Sequence, residues 1–496
     1  MAEGPAGGLL LAILIFAPLL GAIALAAMRG SAVRAVRAVA TIAAAVPVVL
    51  VAVLLAGYRY GTGGLQYVVR LNWIPAWHIQ FFVAVDGLSL AMLALAAVVG
   101  LLATVASYGI GDRVKEYFIW FLIMEAGVLG VFSAEDLILF VFFFDVVLVP
   151  MYFLIAIWGG PRREYAALKF LIYTFSGSVI MLVAILAMYF LTGSQTFAIP
   201  SLGPLVSEDI GRGIQLLIFA GIFLGFAIKL PMVPFHTWLP DAHVEAPTPI
   251  SVVLAAVLLK IGGYGLLRIA LPLLPAAAGA AAPVLAVFGV VNIIYAALAA
   301  MSQRDFKKMV AYSSVSHMGF VLLGAAVGTP LAIDGAIFVM VSHGLISALL
   351  FLMVGVFYDR CHTRDLGRLG GMYTTLPLAG VILAFAALAN LGLPSLSGFV
   401  GEFFTLASVF ATHRTVAFFA AGGLVLVAAF NLVMMRRVVM GPERPEWRGL
   451  PPVRLRELVT LVPLMSGVVL LGVAPAVLVN LINGPAAQIA ARLGGG

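Results

Sequence analysis

Apolar runs long enough to cross a bilayer recur along the whole chain, separated by short charged or Gly/Pro-rich breaks. A helical span needs ~20 such residues. Fourteen candidates fall near 9–28, 36–56, 87–108, 115–133, 136–158, 165–192, 214–235, 249–271, 283–301, 306–327, 330–357, 375–410, 415–435 and 457–483. The pattern predicts an all-α, multi-pass membrane protein of about fourteen transmembrane helices. No basic segment precedes the first run, which is too long for a signal-peptide core, so it reads as a retained first helix.

Composition points the same way: 63% of the 496 residues are hydrophobic and 10% charged, against roughly a quarter charged in soluble domains. The net charge of +7 matters through its placement. With spans alternating sides, 20 of the 28 Lys and Arg residues fall in loops on the side of Arg29, Arg34 and Arg37. The other side holds Arg59, Arg70, Arg212, Arg414 and Arg492, while Lys229, Lys260 and Arg268 lie within spans. By the positive-inside rule the basic side is cytoplasmic, which predicts a bacterial plasma-membrane protein with both termini on the non-cytoplasmic side. No basic patch with interleaved aromatics suggests nucleic acid. The single cysteine, Cys361, excludes an internal disulfide and any four-thiolate iron–sulfur or zinc site in this chain alone, so redox chemistry is expected in other subunits.

Two spans are interrupted by proline, the seventh at KLPMVP (229–234) and the twelfth at NLGLPSLSG (390–398). Proline frees carbonyls at membrane depth, which is tolerable only where they line protein or water. The breaks lie five spans apart, each in the fourth helix of a five-helix unit, and the two units have opposite orientation. That is the pattern of an inverted repeat. The predicted organisation is 1–114 (helices 1–3), 115–271 (repeat one, helices 4–8), 283–440 (repeat two, helices 9–13) and 441–496 (helix 14). The GxxxG pair Gly221 and Gly225 is read as helix packing.

A charge in mid-bilayer costs several kcal/mol, roughly, yet seven titratable groups share one layer. Asp145 lies roughly 13 Å into its span; Glu125, Lys260, His317 and His343 come out at similar depth, and Lys229 and Glu402 sit beside the helix breaks. A static ion-pair network needs fewer groups. A metal site would avoid ammonium groups, and HxxxH and CxxC are absent. A hydrated proton relay accounts for the set, because a buried lysine's proton affinity falls with burial and rises with a nearby carboxylate. His236, Asp241, His243 and Glu245 read as a polar mouth through which water reaches Lys229 and Lys260, rather than as metal ligands. His78, His362 and His413 read as solvated loop residues, and Asp86 and Asp305 as structural residues at span ends.

The segments KLPMVPFHTWLPDAHVEAPT (229–248), LAAVLLKIGGYG (254–265), DFKKMVAYSSVSHMG (305–319), VSHG (341–344) and SGFVGEF (397–403) resemble the antiporter-like subunits of proton-pumping NADH:quinone oxidoreductase, respiratory complex I. AHVEAPT and LLKIGGYG are specifically the wording of the chain M branch. The resemblance covers nearly the whole chain and implies the fourteen-helix fold, the inverted repeats and a central hydrophilic axis. It also implies a charge pair of Asp145 and Lys229, a connecting Lys260, and an outlet carboxylate, Glu402. Flavin, iron–sulfur clusters and quinone would then belong to partner subunits, and the partners would be the other membrane-arm chains (L, N, K, J, A and H types) and, indirectly, the redox arm. The motif FFFDVVLVPMY (142–152) has aspartate where that family usually has glutamate, so the reach to Lys229 shrinks by one methylene. Two other functions compete, a subunit of a multi-chain cation/proton antiporter and a membrane subunit of a hydrogenase or ferredoxin-linked complex. Glutamate at 402, where the antiporters carry lysine, favours complex I.

Overall fold

The structure, a computed structural model, describes residues 5–61 and 64–494. The first runs form α1 (Pro5–Ala27) and α2 (Val33–Gly57), and an antiparallel hairpin of β1 (Gln66–Ile74) and β2 (Ile79–Val85) precedes α3 (Gly87–Ala106). Then come α4 (Val114–Val131), the pair α5 (Leu137–Val146) and α6 (Leu148–Trp158), α7 (Arg163–Leu191), a short α8 (Ile199–Asp209) and α9 (Arg212–Lys229). After α10 (Trp238–Glu245), one span is built from α11 (Thr248–Val253), α12 (Leu259–Gly265) and α13 (Leu271–Leu273), joined by π-helical turns at Leu254–Leu258 and Leu266–Ala270. The rest comprises α14 (Pro275–Met301), α15 (Phe306–Val327), α16 (Pro330–Cys361), α17 (Met372–Thr375), α18 (Pro377–Asn390), α19 (Ser397–Thr412), α20 (Arg414–Val438), α21 (Leu455–Val473) and α22 (Ala476–Gly494).

Among the described residues, 12 helical segments are long and apolar enough to cross a membrane unaided. Helix α4 makes a thirteenth crossing despite Lys115, Glu116 and Glu125, and the half-helices α18 and α19 make the fourteenth. The predicted fourteen crossings are therefore present. The last is shorter than the sequence predicts. It stops at Val473 rather than running to 483, because Pro475 cannot donate to the preceding turn. Helix α22 turns aside and packs across the ends of α3 and α16, with the Leu481 carbonyl against Gly87 and Leu493 against Gly328.

Local chemistry sets the helix starts. Asp86 caps α3 by accepting from the Ser89 N–H (2.9 Å), Asp136 caps α5, and Asp305 caps α15 by accepting from the Lys308 N–H (3.0 Å). A cap of this kind is worth ~1 kcal/mol, and the structural reading of Asp86 and Asp305 holds. The loops segregate into two faces. On the basic face Lys115 reaches the Ala26 and Met28 carbonyls, Arg162 pairs with Glu245, and Arg360 forms a bidentate pair with Glu457 at 3.0 and 2.8 Å. On the opposite face Ala134 bridges to Val83 and Asp136 to Ala198.

Burial ranks the helices by depth in the bundle. The apolar windows of the α11–α13 span and of α16 are 100% buried, and that of α15 is 83% buried. Those of α2, α20 and α21 are only 28–33% buried and present side chains such as Phe418 to the surroundings. Lys260, His317 and His343 sit on the enclosed helices.

A buried polar axis as the candidate functional site

Helix α9 ends at Lys229 because Pro231 and Pro234 follow, and its freed backbone groups are satisfied one by one. Asn292 on α14 accepts from the Val233 N–H (2.8 Å) and donates to the Pro231 carbonyl (3.4 Å), while the Trp238 indole N–H donates to the Ile228 carbonyl (2.9 Å). The second break lies between α18 and α19, where Gly392 takes φ +80° and the Asn390 amide donates to Asn431 (3.0 Å). A side chain at 392 would put a Cβ 2.9 Å from Oε2 of Glu402, so glycine serves both the turn and the carboxylate. Both broken helices are present; Pro231 and Met232 at the first break are buried, whereas Pro234 and, at the second, Leu393, Pro394 and Ser395 are exposed on the surface of the chain.

Four of the predicted residues form a line across the molecule. The Lys260 Nζ lies 2.6 Å from Nδ1 of His343 and donates to the Ala255 carbonyl (2.7 Å) within the first π turn. The imidazoles of His343 and His317 are 5.5 Å apart between centroids. The His317 Nδ1 is 2.8 Å from Oε1 of Glu402. All four are at most 4% exposed. Beside both rings lies a cavity of about 10 Å³ bordered by His317, Ser342, His343, Asn390 and Glu402, near the size that holds one water. Neither Nε2 has a protein partner. Lys260 sits between two π turns, a deviation that gathers at functional sites.

The other half of the predicted axis is not joined in this way. Asp145 and Lys229 form no ion pair: Ser178 on α7 donates to Oδ1 of Asp145 at 2.5 Å, and the Lys229 ammonium lies 4.7 Å above the Phe144 ring and 5.7 Å from that of Phe170, with no hydrogen-bond partner. The shorter aspartate is held by a hydroxyl instead of reaching the lysine. Glu125 lies apart from the line, against Gly100 of α3, with both oxygens unpaired.

His236 and His243 are buried with unpaired ring nitrogens. The His236 ring meets Tyr295 edge-on, and His243 stacks on Phe351 at 4.4 Å. The reading of their segment as an open polar mouth is corrected: α10 is packed into the protein, Asp241 pairs with Lys169 (2.7 Å), and Glu245 accepts from the Arg162 backbone N–H (3.0 Å). Its apolar Trp238, Leu239 and Ala242 are buried, and these drive the docking that closes it.

Other buried charges pair outside this line. Arg268 pairs with Asp86 (2.8 Å) and Glu135 (3.3 Å) on the face opposite the basic one, so Asp86 does more than cap. Buried Lys307 bonds the Ala246 carbonyl, and Asp334 is buried near the start of α16. The signal for Arg268 and Asp334 was present, as charges inside apolar runs. Ser178 gave none. Among the described residues no three His, Cys, Asp or Glu side chains group as metal ligands.

The chain is similar to known proteins over nearly its whole length. A family profile described as "NADH:quinone oxidoreductase/Mrp antiporter, TM" matches residues 134–428. The chain is 44% identical over 493 residues to NADH-quinone oxidoreductase subunit M of Rhodobacter capsulatus, covering 97% of this chain and 96% of that one. It is 40% identical to the subunit M of Rickettsia bellii, covering 84% of each. Among solved structures, a chain of respiratory complex I from Thermus thermophilus with bound NADH superposes with a TM-score of 0.89 at 28% identity, over 97% of this chain and 99% of that one. A chain of the Mrp complex from Dietzia matches with a TM-score of 0.86 at 21% identity, over 99% and 100%, and shares the fold. The identity and near-complete coverage place this chain in the subunit M family of NADH-quinone oxidoreductase.

Proposed function

We propose that protons cross this chain along Lys260, His343, His317 and Glu402. The chain is a proton-translocating membrane subunit of NADH:quinone oxidoreductase, partnered by other membrane-arm subunits. The observation that carries the route is the pair of short contacts, 2.6 and 2.8 Å, at the two ends of imidazoles 5.5 Å apart, with a water-sized cavity touching both rings. An imidazole takes a proton at one nitrogen and releases one from the other. Lys260 delivers to Nδ1 of His343, the Nε2 proton passes through a water to Nε2 of His317, and its Nδ1 proton goes to Glu402. Glu402 then discharges toward the face opposite the basic one. The basic face is cytoplasmic, both termini lie on the other side, and Glu402 is the outlet.

On this reading Lys229 is the input, steadied by aromatic faces and biased by Asp145 from a distance. His236 and His243 are supporting relay groups on the packed α10 side, and Glu125 is a reserve buried carboxyl outside the line. The chain holds no redox centre; flavin, iron–sulfur clusters and quinone sit in partner subunits. The antiporter and hydrogenase readings lack support from the near-full-length subunit M relatives. Purification of the intact complex tests the assignment: co-purifying flavin and iron–sulfur chains support it, and their absence sinks it.

A further inference from the structure

The basic face carries a cavity of about 820 Å³ between the α14–α15 turn, the loop after α16 and the loop after α20. Arg304, Arg436, Arg437 and Arg444 line it, with Asp365 and Glu443 as the carboxylates. The acidic groups are already engaged: Asp365 accepts from the Gly367 N–H (2.8 Å), and Glu443 pairs with Arg448 (3.2 Å). The basic groups are not. Arg437 and Arg444 each donate to one carbonyl, Gln303 and Gly367 respectively, and among the described residues the guanidinium groups of Arg304 and Arg436, which line the cavity, have no hydrogen-bond or ion-pair partner. The cavity therefore has more guanidinium groups than carboxylates in its wall, and two of those guanidiniums are unpaired among the described residues.

A second observation gives the ligand its other half. Below Arg436 on the same face of α20, at successive helical repeats, stand Leu432 (53% exposed), Val425 (68%) and Phe418 (75%). On neighbouring α18, Leu378 and Val381 are also exposed. An uncovered apolar strip thus runs down from the rim of the cationic cavity into the membrane. Guanidinium matches phosphate through its paired donors, and basic pockets at the cytoplasmic ends of spans suit anionic headgroups. A free phosphate would use the cavity and ignore the strip; an anionic phospholipid would use both.

We propose that this cavity, with the α18–α20 strip beneath it, binds an anionic phospholipid, its phosphate on Arg304 and Arg436 and its acyl chains along Leu432, Val425 and Phe418. The site is distinct from the polar axis, which lies inside the bundle.

The test uses the intact complex reconstituted into nanodiscs of phosphatidylcholine containing a photo-crosslinkable phosphatidylglycerol, with crosslinked peptides mapped by mass spectrometry. Each basic residue near a membrane surface is worth about a fivefold factor toward an anionic headgroup. The Arg304→Gln/Arg436→Gln double variant should therefore lose crosslinking within 418–444 about thirtyfold, with quinone-reductase activity retained. Leu432→Gln alone should lower it if the acyl strip is used. Equal crosslinking by a zwitterionic probe, unchanged crosslinking in the double variant, or no crosslink in the wild type because a neighbouring subunit covers the strip would each overturn the proposal. Full competition by millimolar inorganic phosphate, with Leu432→Gln inert, would assign the cavity to a free phosphate instead and equally overturn it.

Discussion

Replacing Glu402 by glutamine keeps the side chain's size and its contact with His317 while removing the only carboxyl at the end of the line. The bond to Nδ1 of His317 is 2.8 Å. A bond to a charged group is worth about 1.5–3 kcal/mol and a neutral one about 0.5–1.5, so the exchange costs only about 1–1.5 kcal/mol of local stability. That is too little to unseat α19, which packs closely enough on α16 that Gly401 has no room for a side chain beside Val339. The effect on function is disproportionate, because an amide neither takes nor releases a proton near neutral pH. The complex should assemble, as seen on native gels, and pumping through this chain should stop in proteoliposomes driven by NADH and quinone and read with a pH-sensitive dye. Glu402→Asp withdraws the carboxyl by one C–C bond, ~1.5 Å. The contact then opens to roughly 4.3 Å, beyond hydrogen-bond reach, and pumping should be slowed rather than abolished. Wild-type pumping by Glu402→Gln would refute the outlet role.

Four further outcomes follow from the same geometry. Lys260→Ala should stop pumping with assembly intact, and Lys260→Arg should fail too, since guanidinium does not release its proton; full pumping by the arginine variant would reduce Lys260 to a fixed charge. Lys229→Ala should strongly lower coupled quinone-reductase activity without loss of the complex, measured on the same vesicles, because its ammonium makes no hydrogen bond that the fold needs. Asp145→Asn should lower pumping, whereas Asp145→Glu should be tolerated, its extra ~1.5 Å letting the carboxylate approach Lys229 past Ser178; equal rates in the asparagine variant and the wild type would remove Asp145 from the route. Burial lifts the Glu135 carboxyl to about 7, opposed by Arg268 and aided by Asp86. Folding therefore gains from its proton at low pH and loses that gain as pH rises from ~4.3 to about 7, and Glu135→Gln should flatten this part of the thermal-stability profile of the purified complex.

The spans were legible because a membrane helix announces itself through length and apolarity alone, and the broken helices because proline has no backbone donor to continue the turn. The end of the last span was not, since 474–483 is apolar enough to continue it and only its packing shows that it turns aside. Lys260, His317, His343 and Glu402 stood out as charges without business in hydrocarbon. Their order along a line could not be read, because it depends on how α12, α15, α16 and α19 face one another. Asp145 was read as one half of a pair, but Ser178, 33 residues away, competes for it, and a serine in an apolar run carries no pattern that marks it as a partner. The α10 segment misled because its polar letters suggested water, while Trp238 and its apolar neighbours determine where it docks.

Helix α16 is 32 residues long and is clamped near one end by the Arg360–Glu457 fork. Halfway along it His343 touches Lys260, a residue partly tethered to its own helix through the Ala255 carbonyl. A hydrogen bond of 2.6 Å is forfeited by a displacement of about 1 Å, whereas the tether to the π turn just before α12 would travel with the lysine. The contact consequently reports the relative position of two helices, and a small slide or rotation of one against the other, imposed from outside the chain, opens or closes the circuit without moving a charge group off its anchor. The Lys260–His343 contact can in this way be switched by purely mechanical means.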